Sequence, residues 1–396
     1  MPGYGPAITA VRVFTDDAEK LKAYEDSVAS EKTYDMAWIR NTVIANPMSR
    51  YPAYFEQRSS WLGGGGRVMV LIETDAGVTG IGESTGGVAA ASIIAEHLSR
   101  FLVGRSPFQI EMLWDMMFRS TLPYGRKSLP IMAISAVDLA LWDCVAKLRG
   151  EPLYVSLGGP ARDFVPAYIT GNDTSRTREL GFVGQKLAMP YGPASGRDGM
   201  HRNAALVREA REALGEEIDI MLDCYMAWDV DYSVRMAELL RKYKVKWIEE
   251  SLPPDDYAGY AALHRKVTST AIATGEHEYT RYGFQQLLDV DAADIYQPDV
   301  YWCGGLTEAK KICALASAKH KTVIPHAGGT QPWTLHLLFA QPDIPMAEYF
   351  LGAGEAHPFY DGIPFPKQGR FERPEAVGAG IALKEDAFDR MKEYGA

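Results

Sequence analysis

Six short apolar runs, each ending in a polar residue, decide how this chain is read: Ile218-Asp-Ile-Met-Leu-Asp223, Val245-Lys-Trp-Ile-Glu249, Thr270-Ala-Ile-Ala-Thr-Gly-Glu276, Ala293-Asp-Ile-Tyr-Gln-Pro-Asp299, Thr322-Val-Ile-Pro-His326 and Pro345-Met-Ala-Glu348. The terminal residues are spaced 22 to 27 positions apart, which fits one strand, one helix and two loops per unit. Short apolar runs alternating with helical patterns argue for repeated βα units and a parallel sheet. With at least six such units in a row, a (β/α)8-type barrel is the leading architecture, and its site is built at the C-terminal ends of the strands. All six polar residues then face one mouth.

Working outward, helical patterns at 201–214, 231–243 and 306–319 fill the gaps between runs. Val165 to Gly171 and Gly181 to Ala188 supply the first two strands of the barrel. Upstream, Ala7 to Thr15 reads as a strand and Val68 to Glu83 as a hairpin turning at Asp75-Ala-Gly77. Helical patterns follow at about 89–103, 107–119 and 129–149. The last carries Ile131, Ile134, Val137, Leu141, Val145 and Leu148 at helical spacing and ends at Gly150 and Pro152. This predicts an α+β capping domain over residues 1–160, a barrel over 161–360 and a tail over 361–396 that packs back on the cap. Residues 38–61, rich in aromatics and followed by four glycines, read as a functional loop.

At 396 residues the chain is long enough for a barrel and a second domain, and 47% hydrophobic with 23% charged residues is a globular composition. The net charge of −10 disfavours nucleic acid and anionic membranes as partners. It leaves room for an anionic small molecule, because a bound cation reverses the local field. No run of 18 apolar residues suggests a membrane span, and Met1-Pro-Gly-Tyr-Gly lacks the pattern of a signal peptide. Cys144, Cys224, Cys303 and Cys313 form no CxxC pair, so reduced thiols in a cytoplasmic protein are expected.

Asp223, Glu249 and Glu276 come from three successive units, and carboxylates on adjacent strand ends make an open oxygen site of the kind Mg²⁺ prefers. The alternative is that each caps the helix that follows it. Glu250 and Ser251 are placed to orient the second ligand. Asp299 and His326 end neighbouring strands, and a carboxylate on one ring nitrogen fixes the tautomer and raises the basicity of the other. A base beside a divalent cation suits removal of the proton α to a carboxylate. Glu348, if protonated, could then donate a hydrogen bond to the carbanionic species. Lys186 adds positive charge from the second strand, and His277 is a candidate for substrate contact.

These residues resemble the enolase superfamily, in its mandelate racemase-like branch. The resemblance rests on Ser135-Ala-Val-Asp-Leu-Ala-Leu-Trp-Asp143, Leu153 to Gly159, Leu222-Asp-Cys224, Trp247-Ile-Glu-Glu250, Gly275-Glu276, Gln297-Pro-Asp299 and Pro325-His326. It implies Mg²⁺ on Asp223, Glu249 and Glu276, a His326/Asp299 dyad, Glu348 opposite the substrate carboxylate, and cap loops closing the mouth, with Arg58 contacting substrate. Trp247 to Pro254, Gly275-Glu-His277 and Gln297 to Thr307 look most like the L-rhamnonate dehydratase group. That implies an aldonate dehydratase, usually a homo-oligomer, with L-rhamnonate first and L-lyxonate second as substrate.

Two departures stand out. The branch's racemases carry Lys-x-Lys on the second strand, whereas Lys186 is followed by Ala188, which favours elimination by His326 alone. Val43 stands before Ala45-Asn-Pro-Met-Ser49 where the group tends to have His, which leaves the far end of the sugar open. A metal-dependent sugar isomerase or aldolase barrel, or a binding protein on the same fold, is the rival reading.

Overall fold

Ile8–Asp16 (β1), Arg67–Thr74 (β2) and Thr79–Thr85 (β3) pair antiparallel, and the central strand is apolar on both faces, with Val68, Val70 and Ile72 buried in one cluster and Met69 and Leu71 in another. The computed structural model describes residues 5–31, 39, 42–62 and 65–395. The helix Leu129–Arg149 lies across the β1–β3 sheet. It opens with Pro130 in its first turn, where no N–H is needed, and stops at Gly150, whose φ of 66° suits a residue without Cβ. Its apolar length matches a membrane span by composition, but 83% of that window is buried inside the protein. It is the core helix of the cap.

Glycine allows that helix to approach so closely. A Cβ at Gly82 would stand 2.1 Å from the Ala136 carbonyl oxygen and 2.4 Å from the Ala140 nitrogen, both backbone atoms that cannot swing away. Gly82→Ala is therefore expected to lower Tm by roughly 1 to 4 °C, from overpacking of about 1–3 kcal/mol. An unchanged melting curve would show that the helix can slide off the sheet.

The barrel is one sheet of eight parallel strands: β4 Phe164–Thr170, β5 Gly184–Ala188, β6 Asp219–Asp223, β7 Val245–Glu249, β8 Ala271–Thr274, β9 Ile295–Tyr296, β10 Thr322–Val323 and β11 Ala347–Phe350. Strands β4 to β10 pair in chain order and β11 pairs on the free side of β4. Among the described residues no ladder joins β10 to β11. Tyr168, Met221, Trp247, Ala273, Ile295, Ile324 and Met346 fill the interior and form a floor. Helices connect β5 onward, but β4 reaches β5 through turns alone. There Asp173 Oδ1 accepts from Ser175 N–H at 2.9 Å and the Asn172 side chain bonds both backbone groups of Ala188.

The segment Ser135 to Asp143 is the joint between cap, barrel and tail. Ser135 Oγ accepts from Gly304 N–H at 2.9 Å, and Asp138 accepts from the N–H and hydroxyl of Thr307 at 3.0 and 2.5 Å. Trp142 Nε1 also donates to Thr307 Oγ1, while Asp143 accepts from Ile81 N–H of β3 and Ala379 N–H of the tail, both at 2.8 Å. The tail forms short strands β12 Tyr360–Asp361, β13 Arg370–Glu372, β14 Ala382–Leu383 and β15 Met391–Glu393. Strand β15 pairs with β1 of the cap, as expected of the tail, and β13 pairs antiparallel with the start of β4, which the sequence did not suggest. All four cysteines are free and buried.

Candidate active site

The strand order carries the candidate residues to one end of the sheet. Asp223 and Glu249 close β6 and β7 and stand opposite each other in the ladder. Glu348 lies in β11 beside Tyr168 of β4, and Lys186 lies in β5 beside Thr170. Glu276, Asp299 and His326 sit two or three residues past their strands. Pro298 and Pro325, which lack an N–H for the ladder, precede Asp299 and His326, so pairing stops and the chain turns just where the side chain is needed.

Lys186 is fully buried and central. Its Nζ lies 2.5 Å from Glu249 Oε1, 2.7 Å from Glu348 Oε1 and 3.9 Å from Asp223 Oδ2. Glu249 Oε2 accepts from Trp247 Nε1 at 3.0 Å and from Gln297 Nε2 at 2.7 Å. Burial pushes the Glu249 carboxyl up to about 8; Lys186 pulls it back, while Asp223, Glu348 and Glu276 add to the rise. Burial likewise lifts Glu276 to about 7 against the pull of His326 and His277. Glu348 goes the other way. Its burial penalty is overcome by Lys186 and His326 and by hydrogen bonds, which hold it down at about 2. It accepts from the Thr170 hydroxyl, from Lys186 and, at 2.8 Å, from Ala327 N–H. The expectation of a protonated, donating Glu348 is thereby corrected: three donors already occupy an ionised carboxylate.

His326 Nδ1 lies 2.6 Å from Asp299 Oδ2, and Asp299 is itself fixed by Gln331 Nε2 at 3.0 Å and Tyr301 N–H at 2.7 Å. The other ring nitrogen is 3.3 Å from Glu276 Oε1. Burial opposes protonation of His326, but Glu276, the Asp299 hydrogen bond and Glu348 outweigh it and raise the ring to about 10. His277 makes a second His–carboxylate pair, its backbone N–H and Nδ1 meeting the two oxygens of Glu250 at 3.1 and 2.8 Å. The Trp302 ring stands between the two imidazoles, 5.3 Å from His277 and 5.4 Å from His326.

Two sets of donors compete for a cation. Glu250, Glu276 and His277 offer atoms within 4.8 Å of one another. That set, however, includes an imidazole nitrogen already paired with Glu250, which suits the all-oxygen coordination of Mg²⁺ less well. Asp223, Glu249 and Glu276 offer hard oxygen donors from adjacent strands, and the burial that lifts Glu249 and Glu276, with Asp223 adding to both, is the cost a divalent cation would relieve. A cation there would also offset the pull of Glu276 on His326, returning the imidazole toward a useful basicity.

The cap reaches over this end of the barrel. Ala45 N–H donates to Met189 O just past β5 at 2.8 Å, the rings of Phe55 and Tyr191 stack at 6.2 Å, and the Arg58 guanidinium sits 3.7 Å above the ring of Tyr225. Val43, two residues before Ala45, is half-buried. Of the loop singled out in the sequence, Trp38, Arg40 and Asn41, with Gly63 and Gly64 beyond it, lie outside the described residues. Sequence reasoning missed Tyr225, Trp302, Gln331, Thr170 and Tyr168, the last a buried hydroxyl in the barrel floor without a hydrogen-bond partner among the described residues. Of these, only Trp302 had a signal, as an aromatic residue in the stretch that follows β9.

Residues 174–387 match the enolase C-terminal domain-like family, and residues 61–158 the N-terminal domain of mandelate racemase and muconate lactonizing enzyme. An L-rhamnonate dehydratase of Saccharopolyspora erythraea is 43% identical over 358 residues, covering 88% of this chain and 91% of that protein. The crystal structure of L-rhamnonate dehydratase from Gibberella zeae superposes with a TM-score of 0.90 at 34% identity, over 98% of this chain and 97% of that one. The rhamnonate dehydratase of the same organism complexed with Mg gives a TM-score of 0.90 at 33% identity, with the same coverage.

Proposed function

We infer from membership of the mandelate racemase and muconate lactonizing enzyme family of the enolase superfamily, to which this chain belongs, that it is a Mg²⁺-dependent acid-sugar dehydratase, with L-rhamnonate as first substrate. The observation that carries this reading is the 2.6 Å bond between His326 and Asp299 at a mouth that also holds three strand-end carboxylates. Asp223, Glu249 and Glu276 would hold Mg²⁺, which when bound supplies Lewis acidity toward the substrate carboxylate. His326 takes the C2 proton through Nε2, and Asp299 orients the ring and stabilises its cation. The C2–H electron pair drives out the C3 hydroxyl, which leaves as water after taking the proton back from His326. The enol product then tautomerises to a 2-keto-3-deoxy acid. Lys186, held between Glu249 and Glu348, supplies fixed positive charge, and Ala188 offers no second base. Incubating the protein and Mg²⁺ with a panel of aldonates should yield 2-keto-3-deoxy acid; none from any aldonate refutes the reading.

L-lyxonate, which shares the configuration of L-rhamnonate from C2 to C4 and is one carbon shorter, is the second substrate we assign, its last hydroxyl met by Arg58 or a tyrosine of the cap loop, since Val43 offers the sugar's far end no hydrogen bond. A terminal hydroxyl left unsatisfied there costs about 1–3 kcal/mol. We therefore expect kcat/KM to be higher for L-rhamnonate and L-lyxonate than for L-mannonate, and Val43→His to narrow or reverse the gap. Indifference to Val43→His would show that this segment does not read the substrate. We further assign a cytoplasmic homo-oligomer: exposed apolar Phe108, Met112 and Leu122 favour association and the buried thiols favour a reducing compartment. Light scattering at the monomer mass would overturn the assembly.

A further inference from the structure

The loop after β6 is built in an unusual way for residues with side chains. Tyr225 and Met226 both adopt left-handed backbone, with φ of 43° and 60°, a conformation that glycine adopts without strain. Tyr225 N–H donates to Asp223 Oδ1 at 3.0 Å and Met226 N–H to Glu250 O at 2.6 Å, so the loop is held by the groups around the carboxylate cluster. Glycine would be at ease at position 225; the chain places a tyrosine there. Its ring lies with one face under the Arg58 guanidinium at 3.7 Å and meets the His277 ring edge-on at 5.5 Å. Arg58, in turn, is only 8% exposed, and its Nε has no partner among the described residues. A buried guanidinium lacking a bond at Nε owes its position to something other than hydrogen bonding at that atom. The only ring described beneath it is that of Tyr225, and a desolvated cation over an aromatic face is strongly held.

We propose that Tyr225 is a positioning residue, the plate on which the cap segment latches through Arg58, and that seating on it is what presents the Arg58 charge to an anionic acid sugar in the mouth. The role of the charge rests on the reading of the mouth given above; the latch itself does not.

The test is Tyr225→Gly, which removes the ring while suiting the backbone, with Tyr225→Phe as the conservative rescue. In Tyr225→Gly, KM for the aldonate should rise about tenfold with kcat changed less than threefold. Tyr225→Phe should recover most of that loss. In an Arg58→Gln background, Tyr225→Gly should add nothing further to KM. Without substrate, trypsin cleavage after the exposed Arg50 of the cap segment should be about tenfold faster in Tyr225→Gly than in wild type, at equal global Tm. Unchanged cleavage, additive effects on KM, or a matching fall in kcat would overturn the proposal. Faster cleavage in a protein whose wild type dehydrates no aldonate would leave the latch standing and remove the function instead.

Discussion

His326→Asn is expected to abolish both turnover and exchange of the substrate C2 proton with solvent deuterium, with kcat/KM down by roughly 10⁴-fold. The effect should be this large because the second strand of the barrel supplies no substitute base. Lys186 is a fully buried cation bound to two carboxylates, and position 188 on the same strand is alanine. Asn fits the space, and Asp299 keeps Gln331 and Tyr301 N–H as donors, so the fold should survive. Asp299→Asn should act differently. The amide no longer fixes the Nδ1–H tautomer or stabilises the ring cation, but the imidazole remains, so slow exchange persists at roughly 10²- to 10³-fold below wild type. Equal deuterium exchange in wild type and His326→Asn would mean that another group takes the proton.

Glu249→Gln should bring the second large loss. Glu249 is wholly buried, with Lys186 on one oxygen and Trp247 and Gln297 on the other, all of them donors. An amide places an NH₂ against one of these sides and leaves a buried donor unsatisfied, at about 1–3 kcal/mol of stability. The larger loss is in the metal. Calorimetric titration should show Mg²⁺ binding weakened by at least roughly 10²-fold, with kcat/KM falling in step. Chelator should abolish activity of the wild-type protein and added Mg²⁺ should restore it. Full turnover in excess chelator would remove Asp223, Glu249 and Glu276 from the metal site.

The mouth was legible because the βα repeat places one residue of each unit at a common end, and polar residues there interrupt otherwise apolar runs. The eight-stranded sheet followed from the same spacing. What the spacing could not convey was partnership. Lys186 looked like a free charge for substrate, whereas it lies between Glu249 and Glu348, and that pairing reverses the expected ionisation of Glu348. Tyr225 carries no periodic signal, since its position depends on a left-handed turn that a tyrosine does not announce. The tail was equally opaque: β12 to β15 are two or three residues each, too short for an alternating pattern to emerge. The Ser135 to Asp143 segment stood out by resemblance, but its work became visible only as hydrogen bonds to Gly304, Thr307, Ile81 and Ala379.

The pairing of β15 with β1 has a consequence for how the protein is made. Arg12 and Glu393, which meet across that ladder at 2.8 Å, are 381 positions apart. At about 5–20 residues per second, a ribosome leaves the outer edge of β1 without its neighbour for roughly 20 to 80 s after that strand has been synthesised. For that time the nascent chain carries an unpaired strand edge able to capture another chain. Crowded polysomes and fast, warm overexpression would thus favour inclusion bodies, and slower translation or a chaperone that shields the emerging cap would favour soluble yield. A stop codon only a few positions before Met391 would make the same exposure permanent in the finished molecule.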